Sequence, residues 1–313
     1  MADSAGCVAV TGGSGFVGRA ILAKLLESRY RVRALARDPS RLTQTDARIH
    51  AVKGDLSDHD ALDALLNGVD AVIHVVGIIM EIPRKGQTFA RVHADGTRNL
   101  VYAAKRAKVS RWVHMSALGS RPEAVSNYHR TKWEAEQTVR DSGLSYTIFR
   151  PSIIHGPDGE FMEMVKQFAC KRLLGLLPWM PYFGSGLLGL GGAGRLQPVW
   201  VQDVAGCFVG ALSNPRSENE TYPVGGPDVY TWPQLFETCK RHLPRARAGN
   251  RPRPIPVWYA KLIAGKPGVP FNKDQVIMSQ EDSVCQFTKV QSDFDIELAP
   301  FEPTFAEYAA RIC

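Results

Sequence analysis

The sequence lacks the features that would mark a disulfide-stapled, zinc-built or fibrous protein. Its six cysteines, Cys7, Cys170, Cys207, Cys239, Cys285 and Cys313, show no paired spacing and no histidines at ligand intervals. That pattern excludes a disulfide framework and gives no reason to expect a metal. Internal repeats and low-complexity tracts are missing too, which excludes a solenoid or a linker-like chain. No nucleic-acid motif and no basic stripe interleaved with aromatics occurs, so nucleic acid is not an expected partner, although the net charge is +7. Charge is absent altogether between Arg172 and Arg195. The interval is long enough to suggest a membrane-spanning helix, but Pro178, Pro181 and seven glycines break the helix that lipid would require.

What is present is a globular composition. With 44% apolar residues over 313 positions the chain can bury a sizeable core, as one large domain or two unequal ones. The positive balance points to anionic partners such as phosphorylated cofactors or acidic lipid, with a mildly basic surface as the plainer alternative. Met1 to Gly6 run straight into the first apolar stretch, which leads to the expectation of a cytoplasmic protein, extended to the inner face of a membrane by features discussed below.

Val8 to Val10 read as a buried strand, and Phe16 to Leu26 carry apolar residues at helical spacing. Between them lies Thr11-Gly12-Gly13-Ser14-Gly15-Phe16-Val17-Gly18, a glycine-rich strand-to-helix turn. Gly12 permits the sharp turn, Gly15 lets the backbone approach a pyrophosphate, and Gly18 lets helix and strand pack closely. The unpaired amides of the helix start, at Phe16, Val17 and Gly18, then face the anion. A purely structural turn is the alternative.

The alternation continues. A strand over Arg31 to Ala36 ends in Arg37-Asp38-Pro39, and a basic residue here accommodates a ribose 2′-phosphate where an acidic one would hold the 2′-hydroxyl. Arg37 therefore favours NADP(H) over NAD(H), with Asp38 pulling the other way. Ile49 to Lys53 form a third strand, followed by Gly54-Asp55-Leu56, from which Asp55 either reaches an adenine edge or caps a helix. Ala71 to Val76 read as a fourth strand, closed by Gly77 where the cofactor should pass. Ile78 to Thr88 read as a loop, Arg91 to Ala107 as a helix, Arg111 to Met115 as strand five, Ser126 to Ser142 as a helix, and Tyr146 to Arg150 as strand six. The expected architecture is α/β: a doubly wound parallel sheet over residues 1–150, with a small C-terminal substrate lobe over 151–313 that returns strands to the sheet near 198–201 and 221–225.

Ser116 at the end of strand five, with Tyr128 and Lys132 one helical turn apart, makes a carbonyl-reducing set. A neighbouring ammonium from Lys132 would favour the phenolate of Tyr128. Tyr128 would exchange a proton with a substrate oxygen held by Ser116. Chance spacing on an amphipathic surface helix is the plainer reading.

These residues, with Arg150-Pro151-Ser152-Ile153-Ile154-His155-Gly156-Pro157, resemble the short-chain dehydrogenase/reductase superfamily in its extended or atypical branch, which has a Rossmann-type fold. His114-Met115-Ser116-Ala117-Leu118-Gly119, Gln197 to Ala205, Tyr222 to Pro227 and Asp274-Gln275-Val276 are similar to the group containing the NADPH-binding accessory subunit of respiratory complex I. The resemblance implies that Gly12, Gly15 and Gly18 cradle a pyrophosphate, that Arg37 meets a 2′-phosphate, and that Lys132 bonds the nicotinamide ribose. It also implies that Leu56, Val76 and Gly77 line the cofactor and that Pro151, Ser152 and Ile153 border its nicotinamide. Two departures stand out. Ser116 and Tyr128 are only twelve positions apart, and His93 stands on the helix where many active relatives carry asparagine. The resemblance further implies that a nucleotide can be held without turnover.

In the C-terminal half, the charge-free interval is expected to form an apolar lid or an interfacial contact, with a buried core loop as the alternative. Lys240-Arg241-His242 and Arg245 to Arg253 precede Ile255 to Ile263, which bears Trp258 and Tyr259, a pattern suited to an anionic membrane face. The expected function is an NADP(H)-dependent oxidoreductase, with NAD(H) possible, acting on a quinone- or lipid-like carbonyl or alcohol. Its rivals are a nucleotide-holding subunit of a membrane respiratory complex and a sugar-nucleotide epimerase or dehydratase.

Overall fold

The computed structural model describes residues 5–171, 178–266, 268–269 and 271–312. In chain order the elements are β1 (Cys7–Thr11), α1 (Phe16–Glu27), β2 (Arg31–Ala36), β3 (Ile49–Lys53), α2 (His59–Leu66), β4 (Ala71–His74), α3 (Gly96–Arg106), β5 (Arg111–Met115), α4 (Asn127–Arg140) and β6 (Ser145–Pro151). There follow β7 (Ile154–His155), α5 (Glu160–Cys170), β8 (Trp179–Gly184), β9 (Val199–Trp200), α6 (Val201–Gly210), β10 (Glu220–Val224), α7 (Trp232–His242), β11 (Arg251–Pro256), α8 (Val257–Ile263), α9 (Lys273–Met278), α10 (Thr288–Phe294) and α11 (Phe301–Ala309).

The main sheet has the order β3-β2-β1-β4-β5-β6-β10, and β1 to β6 pair in parallel. Strand β1 is buried along its whole length, as an apolar run must be when both faces of a parallel sheet are covered. The strand order reverses beside β1, where β2 lies on one flank and β4 on the other. A reversal of this kind opens a crevice at the carboxyl ends of the strands, and the turn after β1 sits there.

Three expected elements differ in detail. Strand β4 ends at His74 rather than Val76; Val75 still donates to the Thr11 carbonyl at 3.1 Å, but the chain then leaves the ladder towards Gly77. The helix read from Arg91 opens with a π-helical turn over Ala90–Asp95 before α3 begins. Ser126 is the N-cap of α4 rather than its first residue, accepting from the His129 amide through its side chain.

The chain divides into two compact units. One comprises 1–151, 201–223 and 288–296; the other comprises 152–200, 224–287 and 297–313. Of the strands expected to return to the sheet, the one near 221–225 does so as β10, whereas Val199–Trp200 form β9 and pair with β7 in the second unit instead. Helix α6 packs on α1, and Phe149 stacks on the Tyr222 ring and meets the tilted Phe294 ring, so 201–223 and 288–296 complete the first core. Buried Arg111 ties these parts together by donating to the Ser145 and Ala211 carbonyls and the Ser217 hydroxyl. In the second unit β8 runs parallel to β11, and β7 to β9, around a core that includes Met162, Met180, Phe236, Phe301 and Tyr308.

Of the charge-free interval, 173–177 lie outside the described residues. Trp179–Gly184 form β8, and the following turn, closed by Ser185 Oγ donating to the Gly192 carbonyl at 2.8 Å, leaves Leu187, Leu188 and Leu190 exposed. These leucines are therefore not part of a buried core loop. Among the described residues no helix is long and apolar enough to cross a membrane.

Candidate functional site

The turn after β1 is built for close backbone approach. Gly12 has φ +84°, and a Cβ there would stand 3.0 Å from the Val75 carbonyl carbon. A Cβ on Gly18 would fall well inside contact distance of the Gly12 carbonyl oxygen, so only glycine lets α1 press on the turn. Gly15 is exposed and extended at the N-cap of α1, donates to the Gly12 carbonyl at 3.0 Å, and provides no side-chain cap. The amides of Phe16, Val17 and Gly18 are left facing the turn by helix geometry, and no acidic residue occupies the first turn to compete with an anion. A cradle that a side chain would fill, at the positive end of a three-turn helix, fits a pyrophosphate.

At the rim, Arg37 is exposed at the end of β2. Asp38 is turned to local work: its carboxylate accepts from the Ser40 hydroxyl at 2.7 Å and the Ser40 amide at 3.1 Å, which holds it below the usual carboxylate range. Asp55 likewise accepts from the Ser57 hydroxyl and amide, at 2.6 and 2.8 Å, and is held low mainly by that hydroxyl, with smaller help from the charges of Arg91 and Arg37. The cap of α2 is Asp58, not Asp55. Leu56, half-buried, accepts from the Asn99 side chain through its carbonyl at 3.0 Å.

Beyond β4, Val76 is half-buried and Gly77 exposed. A Cβ on Gly77 would lie 3.1 Å from Lys132 Nζ and 3.7 Å from His93 Nε2. Lys132 is itself buried and donates to the Met115 carbonyl at 3.0 Å, next to Ser116. Burial pushes its ammonium down to about 8, with Glu136 opposing the shift. His93 Nε2 accepts from the Ile78 amide at 3.1 Å, and an amide can only donate. Nδ1 therefore carries the proton and donates to Thr131 Oγ1 at 2.9 Å, and Thr131 passes its own hydrogen to the Asn127 carbonyl at 3.0 Å. Burial first, then the charge of Lys132, pushes the His93 imidazole down to about 2. The π-helical turn places Phe89 and His93 where their rings meet Tyr128, at centroid separations of 5.7 and 5.4 Å, while His129 closes a third side at 5.3 Å.

Lys132 does not draw Tyr128 towards phenolate; burial in this aromatic cage pushes the phenol up to about 12. Ser116 is buried, with its hydroxyl donating to Ser120 at 3.1 Å. The Pro151 carbonyl accepts from the Leu118 amide at 3.1 Å. Ser152 and Ile153 belong to the second unit, where the Ser152 hydroxyl donates to the Ser283 carbonyl at 2.7 Å and the Ile153 carbonyl accepts from Val199 at 3.0 Å. The first unit thus brings together Gly77, His93, Ser116, Tyr128 and Lys132, while Ser152 and Ile153 fall in the second.

Sequence reasoning passed over the buried polar seam behind these residues. His74 spans Thr11 and Thr97, at 2.6 and 3.1 Å, and its ring lies 5.3 Å from that of His114. Both histidines sit on neighbouring strands at paired positions, a signal visible only once the register is known. His114 has no hydrogen-bond partner among the described residues at either ring nitrogen.

On the comparisons, the profile of the NAD(P)H-binding family matches residues 12–167. The chain is 32% identical to the ceramide reductase of Caulobacter vibrioides, over 81% of this chain and 74% of that protein. It is 28% identical to NADH dehydrogenase (ubiquinone) 1 alpha subcomplex subunit 9 of Arabidopsis thaliana, over 93% and 73%. Its fold is similar to that of DesIV, a dTDP-glucose 4,6-dehydratase from Streptomyces venezuelae, with a TM-score of 0.73 at 20% identity over 97% and 95% of the two chains.

Burial keeps His74 and His93 neutral to about pH 3 and 2, and His114 well below its ordinary value. In the unfolded chain they take up protons near pH 6.5, so stability present above that pH is lost as pH falls, by up to about 1.4 kcal/mol per pH unit for each histidine. Urea unfolding at pH 7.5 and 5.5 should show this loss, and His114→Leu should make it shallower.

Proposed function

Since the chain belongs to the NAD(P)H-binding, extended short-chain dehydrogenase/reductase family, we propose that it is an NADP(H)-dependent reductase of a carbonyl group on an apolar, quinone- or lipid-like substrate. The observation that carries this reading is the convergence of Lys132 on Gly77 and on the Met115 carbonyl, beside a tyrosine that keeps its proton. The amides of Phe16, Val17 and Gly18 hold the pyrophosphate and Lys132 the nicotinamide ribose. Arg37 takes the 2′-phosphate, supported by its exposure and by the engagement of Asp38 with Ser40. NADPH, when bound, supplies the hydride.

The protein's own residues do the rest. Ser116 donates to the substrate oxygen once its hydroxyl leaves Ser120. Tyr128 gives that oxygen its proton, a direction favoured by a phenol that stays protonated through neutral pH. The Lys132 ammonium, still mostly charged at pH 7, stays at the Met115 carbonyl and Gly77 to hold the ribose, and the Tyr128 phenolate regains its proton from solvent. His93, a fixed neutral acceptor, holds the Gly77–Ile78 backbone that borders this pocket. The apolar substrate class is supported by the relative named for reducing ceramide. A second reading, a nucleotide-holding subunit of a respiratory complex, is favoured by the likeness to the Arabidopsis subunit over 93% of the chain.

Calorimetry should give NADPH a lower Kd than NADH, and Arg37→Ala should weaken NADPH about tenfold while leaving NADH within twofold. Equal affinities for the two would refute the 2′-phosphate assignment. Tyr128→Phe should lower kcat by about a hundredfold or more at unchanged NADPH affinity. Binding of NADPH with no turnover of any quinone or lipid carbonyl by the parent protein would instead select the second reading.

A further inference from the structure

The second unit shows water an apolar surface made from two segments. Leu187, Leu188 and Leu190 in the turn after β8 are 78%, 70% and 78% exposed, values rare for leucine in a folded domain. Beside them α8 is arranged in reverse: it buries small Ala260 and exposes Trp258, Tyr259 and Leu262. The two segments are one surface, because the Trp258 indole donates to the Leu187 carbonyl at 3.0 Å and the Gly189 backbone packs on Pro254 to Pro256. Holding leucines outward by a hydrogen bond gains nothing for a chain surrounded only by water.

The charge around the patch is of one sign. From Leu243 to Lys273 the chain carries seven Lys and Arg and no Asp or Glu. Arg251, Arg253, Lys261 and Lys266 are exposed, and no carboxylate among the described residues pairs with them. Not all of the basic run is available: Arg241 and His242 are neutralised by Glu302, at 2.9 and 2.7 Å, and Arg195 by Asp282 at 2.6 Å. Of these unpaired cations, Arg251 and Arg253 lie on β11, Lys261 on α8 among the exposed rings, and Lys266 just past the end of α8.

We infer that this face docks the protein on an anionic lipid bilayer, with the leucine turn and α8 entering the headgroup boundary and the four unpaired cations meeting lipid phosphates. Trp258 and Tyr259 suit that depth, since each has an apolar ring and a polar tip. A bilayer is favoured over a protein partner because the leucines project from a turn tip rather than line a groove, and because the surrounding cations lack the anions an ordinary mixed surface would offer. The inference is independent of the reaction, since no residue of the cofactor turn or of the Ser116, Tyr128 and Lys132 set takes part.

The test is sedimentation of the full chain with phosphatidylglycerol vesicles and with phosphatidylcholine vesicles at low salt. Binding to phosphatidylglycerol should be at least tenfold the stronger and should weaken with salt. Leu188→Ser with Leu190→Ser, and separately Arg251→Glu with Arg253→Glu, should each reduce it tenfold or more. Unchanged NADPH affinity in both double variants shows that they remain folded. Trp258 fluorescence, taken as the difference from Trp258→Phe, should shift to the blue on vesicles. No sedimentation with phosphatidylglycerol, equal sedimentation with both lipids, or leucine variants that bind normally but convert a dimer to a monomer would each overturn the proposal.

Discussion

The buried charge of Lys132 organises the candidate site of the first unit. Lys132 is 3% exposed, donates to one backbone carbonyl, and has an ammonium that burial weakens to about 8. Lowering a lysine from 10.5 to about 8 corresponds to a penalty of order 3 kcal/mol for holding the charge there. Such a penalty persists only where something else is obtained, and here it places a cation within reach of Gly77, Met115 and the tyrosine cage. The groups around it answer to that charge: His74, His93 and His114 all stay neutral partly because of it.

The same constraint explains why a histidine serves at position 93. A second cation there would repel Lys132, so the ring must remain neutral, and donation from the Ile78 amide fixes which nitrogen is bare. Thr131 on α4 then accepts a hydrogen bond from the remaining Nδ1–H, which links the loop after β4 to the helix that carries both Tyr128 and Lys132. Phe89 at the start of the π-helical turn and His93 within it, four positions apart, both meet the Tyr128 ring. Loop and helix are therefore joined by one chain of hydrogen bonds through His93, whose ring also meets that of Tyr128.

Much of this was legible in the residues. The β1 run, the glycine turn and the boundaries of β2, β3 and β5 follow from apolar runs punctuated by glycine and polar residues, which are local signals. Ser116, Lys132 and Tyr128 were identifiable by type and spacing, but the state of Tyr128 was not, because its shift comes from Phe89, His93 and His129, which only tertiary packing assembles. The pairing of His74 with His114 depends on strand register, and the roles of Asp38, Asp55 and Asp58 depend on which neighbouring amide each carboxylate meets. The exposure of Leu187, Leu188 and Leu190 sets aside the core-loop alternative, and the hydrogen bond from Trp258 beside them was not legible because it joins residues 71 positions apart.

The central claim is that a buried, neutral and singly defined imidazole at position 93 shares its pocket with the Lys132 charge. Nitrogen-15 chemical shifts of the His93 ring test it directly. A protonated Nδ1 and a bare Nε2, unchanged from pH 8 to pH 4.5, are the predicted result. A ring that titrates near pH 6.5, or that carries its proton on Nε2, would contradict the account.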